Sequence, residues 1–358
     1  MNIAIASASD AEGILGGLKG SGNPSLIVFF ASARHDVGAV SASLRAAFPG
    51  AANIGCTTAG EIISGSMQSG AIVSMALPRD VVSATAVAVV EDLKGQAGVS
   101  AALASLAAQM GGPLSGLDRK THVGLILADG LSAAEESLIE AIGDRTDLQF
   151  VGGSAGDDLA FHATLVAANG RAYEHAAVLA LLRAPQGYRI IKTESFRTLE
   201  PKLTASHVDE ATRTVHCFDG LPAVEAYARA LGADACAAAQ QFLTHPLGLM
   251  VGEEPFVRSP QRVLDDGSMM FYCQIREGME LQLLESTDIV ADTARSLAGP
   301  KRGLLVFNCI LRTLELRQKG LCDQYGALFA DTPAIGFSTY GETYTGHINQ
   351  TATMLAFQ

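Results

Sequence analysis

Three short apolar runs set the rhythm of this chain: SLIVFFASA at 25–33, HVGLILADG at 122–130 and RGLLVFNCI at 302–310. None alternates strictly between apolar and polar residues. Each therefore predicts a strand covered on both faces rather than one half-open to water. After each run the apolar spacing widens to that of a helix. Val37, Val40, Leu44 and Phe48 form a stripe behind Asp36 that stops at Pro49-Gly50. Ser132 and Glu135 have the spacing of a capping box ahead of Leu138, Ile139 and Ile142. Leu314, Leu321, Tyr325, Leu328 and Phe329 lie near one face of a third helix, which Gly320 weakens.

Each helix leads into a glycine turn: IGCTTAGEI at 54–62, VGGSAGDDL at 151–159 and IGFSTYGET at 335–343. The three share a glycine, a hydroxyl residue two positions on, a second glycine and a carboxylate, which is Glu61, Asp157 or Glu342. None contains the lysine of a nucleotide-binding P-loop. A further apolar run closes each unit: AIVSMAL, HATLVAA and TATMLAF. The predicted fold class is α/β, with mixed-sheet layers built on a strand, helix, glycine turn, strand unit used three times. Glycines let the backbone turn sharply or approach another group closely. Turns at strand ends are frequent ligand sites.

Between the second and third units the pattern changes. Asn169-Gly170 predicts a hairpin turn, and APQG at 184–187 punctuates the chain. Two domains are expected, 1–195 and 196–358. In the second, Pro222 opens a helix with Val224, Tyr227 and Leu231 on one face and Gly232 at its end. Short runs between 245 and 284 predict antiparallel strands of a mixed sheet.

Composition narrows the function. A 358-residue chain has room for two domains. With 48% hydrophobic and only 17% charged residues it packs rather than staying disordered. A formal charge of -12 disfavours nucleic acid or an anionic membrane surface as partner. No window has the length and apolarity of a membrane span, and NIAIASA near the start reads as a strand, not a signal peptide. Six cysteines without a C-x-x-C pair point to reduced thiols and a cytoplasmic protein.

Several segments together resemble the FIST (F-box and intracellular signal transduction) sensory-domain family, in its N-terminal and C-terminal portions. They are GCTTAGEI at 55–62, GGSAGDD at 152–158, VHCFDGLPAVEAYARALG at 215–232, FLTHPLGLMVGEEPFVRSP at 242–260, FNCILR at 307–312, GFSTYGE at 336–342 and HINQTA at 347–352. The resemblance spans nearly the whole chain. It implies a non-enzymatic, cytoplasmic ligand-binding input protein of bacterial signal transduction. The segments THPLGLM and EPFVRSP are similar to a subgroup that binds haem b and senses nitric oxide. Such a protein would regulate a separate partner, a histidine kinase of a two-component system or a cyclic-di-GMP enzyme, and a homodimer is left open. No kinase, receiver or helix-turn-helix output segment is visible.

The candidate residues follow from what such ligands need. An iron in haem b takes an axial imidazole, for which His245, beside Pro246, and His347, after the third glycine turn, are the candidates. Propionates, or the carboxylate of a free amino acid, call for guanidinium, and Arg258 and Arg312 are placed for it. Cys309, at a predicted strand end, is a candidate thiolate ligand or a nucleophile in the lesser, cysteine-dependent enzyme reading. Tyr340 and Glu342 bracket Gly341 and are candidate ligand contacts. The alternative to haem is an amino acid or another small molecule.

Overall fold

The computed structural model describes residues 2–93 and 96–358. The chain forms two compact units. The first comprises Met1–Thr193, Ala294–His347 and Ala352–Gln358, and the second Glu194–Thr293 and Ile348–Thr351. All three glycine turns belong to the first unit. The expected halves 1–195 and 196–358 are thus divided differently from the compact units, because the last stretch of chain packs with the first.

The first unit contains three sheets, each built round one parallel pair. Pro24–Ser32 pairs with Ala52–Thr58, His122–Ala128 with Phe150–Ser154, and Gly303–Cys309 with Ala334–Thr339. A helical segment joins each pair: Val37–Ala47, Glu135–Gly143, and the two helices Ile310–Lys319 and Cys322–Ala327. The third connection is broken where the sequence places Gly320, which caps the first helix in the left-handed conformation at φ 67°. The predicted capping box is not made. The Ser132 hydroxyl donates to Asp129 instead, and the helix starts at Glu135 without a side-chain cap.

The first glycine of each motif permits the parallel pairing. A methyl group on Gly55, Gly152 or Gly336 would collide with the carbonyl oxygen of Phe29, Ile126 or Val306. Those three residues are the pairing partners of the glycines in the neighbouring strand.

After each turn the chain leaves its own sheet for the edge of another. Glu61–Ile63 pairs with Ala334–Thr339, Val166–Ala168 with Ala52–Thr58, and Glu342–Thr343 with Phe150–Ser154. Unit one feeds sheet three, unit two feeds sheet one and unit three feeds sheet two, so the exchange closes on itself.

Burial on both faces explains the unbroken apolar runs. Leu26, Val28 and Phe30 enter a central core with Leu125, Leu127, Leu305 and Phe307. Ile27, Phe29 and Ala31 face the helix Val37–Ala47 through Val37, Val40 and Leu44. Phe30 lies at the centre, 4.5 Å from Phe337 and 6.2 Å from Phe307 between ring centroids.

The second unit is an antiparallel sheet. Its order is Glu254–Arg258, Leu247–Val251, Glu280–Ser286, Phe196–Asp209, Thr214–Phe218, Met269–Phe271 and Pro260–Val263. The helix Ala223–Leu231 covers it with Val224 and Tyr227 and ends at Gly232, φ 67°. The expected hairpin also forms: Val166–Ala168 pairs with Arg171–Tyr173 across Asn169 and Gly170, both at positive φ.

Candidate functional site

The three glycine turns meet at one place in the first unit and bond to one another in a ring. Ala59 N–H donates to Ser338 C=O at 3.2 Å, and Ser338 N–H to Gly60 C=O at 2.7 Å. Gly156 N–H donates to Thr57 C=O and Asp158 N–H to Thr58 C=O, both at 3.0 Å. Ser154 N–H donates to Gly341 C=O at 2.8 Å and Tyr340 N–H to Ser154 C=O at 3.1 Å. Each turn thereby supplies the orphan backbone groups of the other two, which buried turns require.

The carboxylates after the second glycines are buried at this junction. The Thr58 hydroxyl donates to Glu61, and the Thr339 hydroxyl to Glu342, in the same i to i+3 geometry. Ala71 N–H also donates to Glu61 at 2.9 Å. Burial raises the Glu61 pKa from its ordinary value, and the two donors offset only part of that rise.

The second copy is one residue shorter between its glycines, and its chemistry differs. Ser154 turns to Glu135 at 3.2 Å. Asp157 instead gathers the N–H groups of Phe161, His162 and Ala163 at 2.9, 2.6 and 3.1 Å, and the Tyr340 hydroxyl at 2.5 Å. This anchors a loop in which Asp158, Leu159 and Phe161 all have positive φ, a conformation costly for such side chains. Tyr340 closes over the loop: its oxygen accepts Leu159 N–H at 2.9 Å, and its ring stacks on the exposed Phe161 at 5.1 Å. Burial first, then the bond to Asp157, holds the Tyr340 phenol well above its ordinary pKa.

Beside the third strand, Asn308 organises a second buried group. Its amide oxygen accepts from Arg312 Nε at 3.1 Å and from the Tyr325 hydroxyl at 2.8 Å, and its amide nitrogen donates to Thr313 at 2.9 Å. The Arg312 guanidinium lies 5.9 Å from the Tyr325 ring centroid, and its side chain is 1% exposed.

Of the residues singled out from sequence, Cys309, Arg312, Tyr340, Glu342 and His347 lie in the first unit, and His245 and Arg258 in the second. Tyr340 and Glu342 sit in the turn junction itself. Cys309 is buried at the N-cap of Ile310–Lys319, one residue from Asn308. His347 is buried with its ring packed against Gly341, where a methyl group would collide with it. His245 is half-buried, 3.0 Å from the Thr244 hydroxyl. Arg258 stands opposite Leu247 in the antiparallel ladder, two residues from His245, and its Nε is buried without a hydrogen-bond partner.

Sequence reasoning missed a cavity of about 210 Å³ in the first unit. Ile126, Ile139, Ile142, Leu148, Phe150 and Ile190 form its apolar wall, and Thr146, Asp147, Thr343, Tyr344 and Thr345 bring polar groups. A second, more polar cavity of about 400 Å³ shares Gly143, Thr146, Asp147 and Leu148 with it and adds Arg119 and Arg145. The lining comes from segments distant in sequence, and no spacing signals it.

The fold and its repeated turns define a two-part α/β architecture. A FIST N domain matches residues 25–221 and a FIST C domain residues 223–345, so the chain belongs to the FIST family. FIST-domain proteins are sensory modules that signal to partner proteins. No curated protein matches the sequence. Among solved structures, a cyanuric acid hydrolase from A. caulinodans is similar over 100% of this chain and 99% of its own, at 12% identity and a TM-score of 0.35. That likeness is too slight to bear on activity. No helix among the described residues is long and apolar enough to cross a membrane.

Proposed function

We propose that this chain is a cytoplasmic input protein that binds a small organic molecule and signals through a separate protein, such as a histidine kinase or a cyclic-di-GMP enzyme. The observation that carries the reading is the cavity of about 210 Å³ directly after the third glycine turn. Its isoleucines, Leu148 and Phe150 suit an apolar side chain, and Thr146, Asp147 and Thr343–Thr345 suit a polar end. The volume falls below the roughly 300–1,000 Å³ of drug-sized pockets. It matches a molecule the size of a free amino acid rather than a porphyrin. Thr343 follows Glu342, so occupancy bears on the ring of turns. A ligand transmits a signal only through different affinities for two states. The reading is one of binding, in which the hydroxyls and carboxylates of the junction hold the turns together.

Thermal unfolding against a panel of apolar amino acids and related small acids tests this. A ligand at 100 times its Kd stabilises by about 2.7 kcal/mol. Ile139→Trp, which fills the cavity, abolishes the shift. A shift that persists in Ile139→Trp removes the cavity from the account.

A second reading, haem b with nitric oxide as the sensed gas, is favoured by one observation in the second unit. His245 lies two residues before the strand Leu247–Val251, which pairs with the edge strand of Arg258, and Arg258 Nε is buried without a hydrogen-bond partner. These two residues fit the needs of a haem edge. His347, the other candidate, is buried with its ring against Gly341. Bound haem would supply an iron that takes nitric oxide. Protein expressed with haem precursor then shows a Soret band that moves with nitric oxide and is lost in His245→Ala but kept in His347→Ala. A colourless protein that takes up no added haemin ends this reading.

A further inference from the structure

Two strands of the second unit, Phe196–Asp209 and Thr214–Phe218, depart from regular pairing twice in succession. Ala205 pairs with Phe218 and His207 with Cys217, which leaves Ser206 as an extra residue on one strand. Val208 then pairs with Val215, which leaves His216 as an extra residue on the other. A bulge re-aims a side chain and bends its strand. Two opposed bulges restore the register beyond them, and Asp209 again faces Thr214. In a ladder without the bulges His207 and His216 would stand directly opposite each other, since Ala205 pairs with Phe218 and Val208 with Val215. Across the bulges the two imidazoles remain neighbours, with ring centroids 4.7 Å apart and planes inclined by 36°.

A second feature holds the His216 ring in place. Its Nδ1 lies 2.8 Å from the Ser268 hydroxyl and 3.9 Å from an Asp266 oxygen. The Ser268 backbone N–H in turn donates to Asp266 at 3.0 Å. With Nδ1 turned to Ser268, Nε2 is the nitrogen of His216 left to a metal ion. A hydrogen-bonded relay ending in a carboxylate is the arrangement that orients histidine ligands and raises their basicity.

We propose that His207 and His216 form a surface site for a divalent transition-metal ion, with zinc as the probe and water completing the coordination. Imidazole nitrogen suits zinc, copper and nickel, whereas magnesium and calcium take oxygen. Zinc sits about 2.0–2.1 Å from each nitrogen, a span that rings already in contact reach by side-chain rotation. His207 is exposed and His216 half-exposed, so the site is open to an ion from solution. The formal charge of -12 raises the local concentration of cations.

The test is a zinc titration of the tag-free, fully reduced full-length chain by calorimetry. One zinc per chain is expected at this site. His207→Ala and His216→Ala each weaken it by about tenfold or more, the fold-change that a lost ligand removes. Cys217→Ser leaves it unchanged. Ser268→Ala weakens it by about 10-fold through orientation alone. His207→Gln, at an exposed position, answers the same question if His216→Ala fails to fold. Failure of the wild-type chain to bind zinc, or equal binding by the wild type and the His207→Gln variant, overturns the proposal.

Discussion

Glu61 shows what the turn junction asks of a single residue. Its carboxyl is fully buried, and burial outweighs the Thr58 and Ala71 donors, so its pKa in the folded chain stands above the ordinary 4.5. The folded state then holds a proton that the unfolded state has already released. The stability tied to that proton is present below about pH 4.5 and is lost as pH rises through the folded value. Glu61→Gln keeps the shape and removes the titration. Denaturant unfolding of the variant is expected to vary less with pH above 4.5 than the wild type does. An unchanged pH profile would mean that Glu61 is ionised in the folded chain and held by its donors. Glu61 was visible in the sequence as the carboxylate of the motif, but its donor Thr58 was not, since the shared hydroxyl position is Thr57. Asn308 was not visible as a hub, since its partners Arg312, Thr313 and Tyr325 join it only through a broken helical connection.

At the scale of elements, the glycines divide by physical cause. Gly336 must be glycine because Val306 C=O occupies the place of a side chain, and Gly320 because its φ is 67° with open space around it. Gly336→Ala therefore has to push two strands apart, at a cost of about 1–3 kcal/mol or more. Gly320→Ala carries only left-handed strain, roughly 1–2 kcal/mol. Gly346 has neither constraint, and Gly346→Ala is the neutral control. Equilibrium unfolding of the three variants should rank them in that order. Strand runs, the Val37–Ala47 stripe, the Asn169-Gly170 hairpin and the Ala223–Leu231 helix were all legible, because each is written in local spacing. The sheet exchange was not. Glu342–Thr343 is two residues long and owes its place to Phe150–Ser154, far away in the chain. The pairing that places His207 beside His216 is set by strand register, which no run of residues records.

For the whole molecule, the repeated unit explains why the glycine turns stand between apolar stretches. Each turn is the point where the chain leaves one sheet for the next, and the ring of bonds between Gly60, Ser154, Ser338 and Gly341 holds the three exchanges together. A cavity walled by Ile126, Ile142 and Thr343 touches the exchange in which Glu342–Thr343 pairs with Phe150–Ser154. In this account that contact is how a small ligand acts on the fold. The most direct measurement is the thermal unfolding of wild type and Ile139→Trp side by side, with and without apolar amino acids. The account predicts a midpoint that rises with ligand concentration in the wild type and stays fixed in Ile139→Trp. An equal rise in both proteins, or no rise in the wild type with any member of the panel, would contradict it.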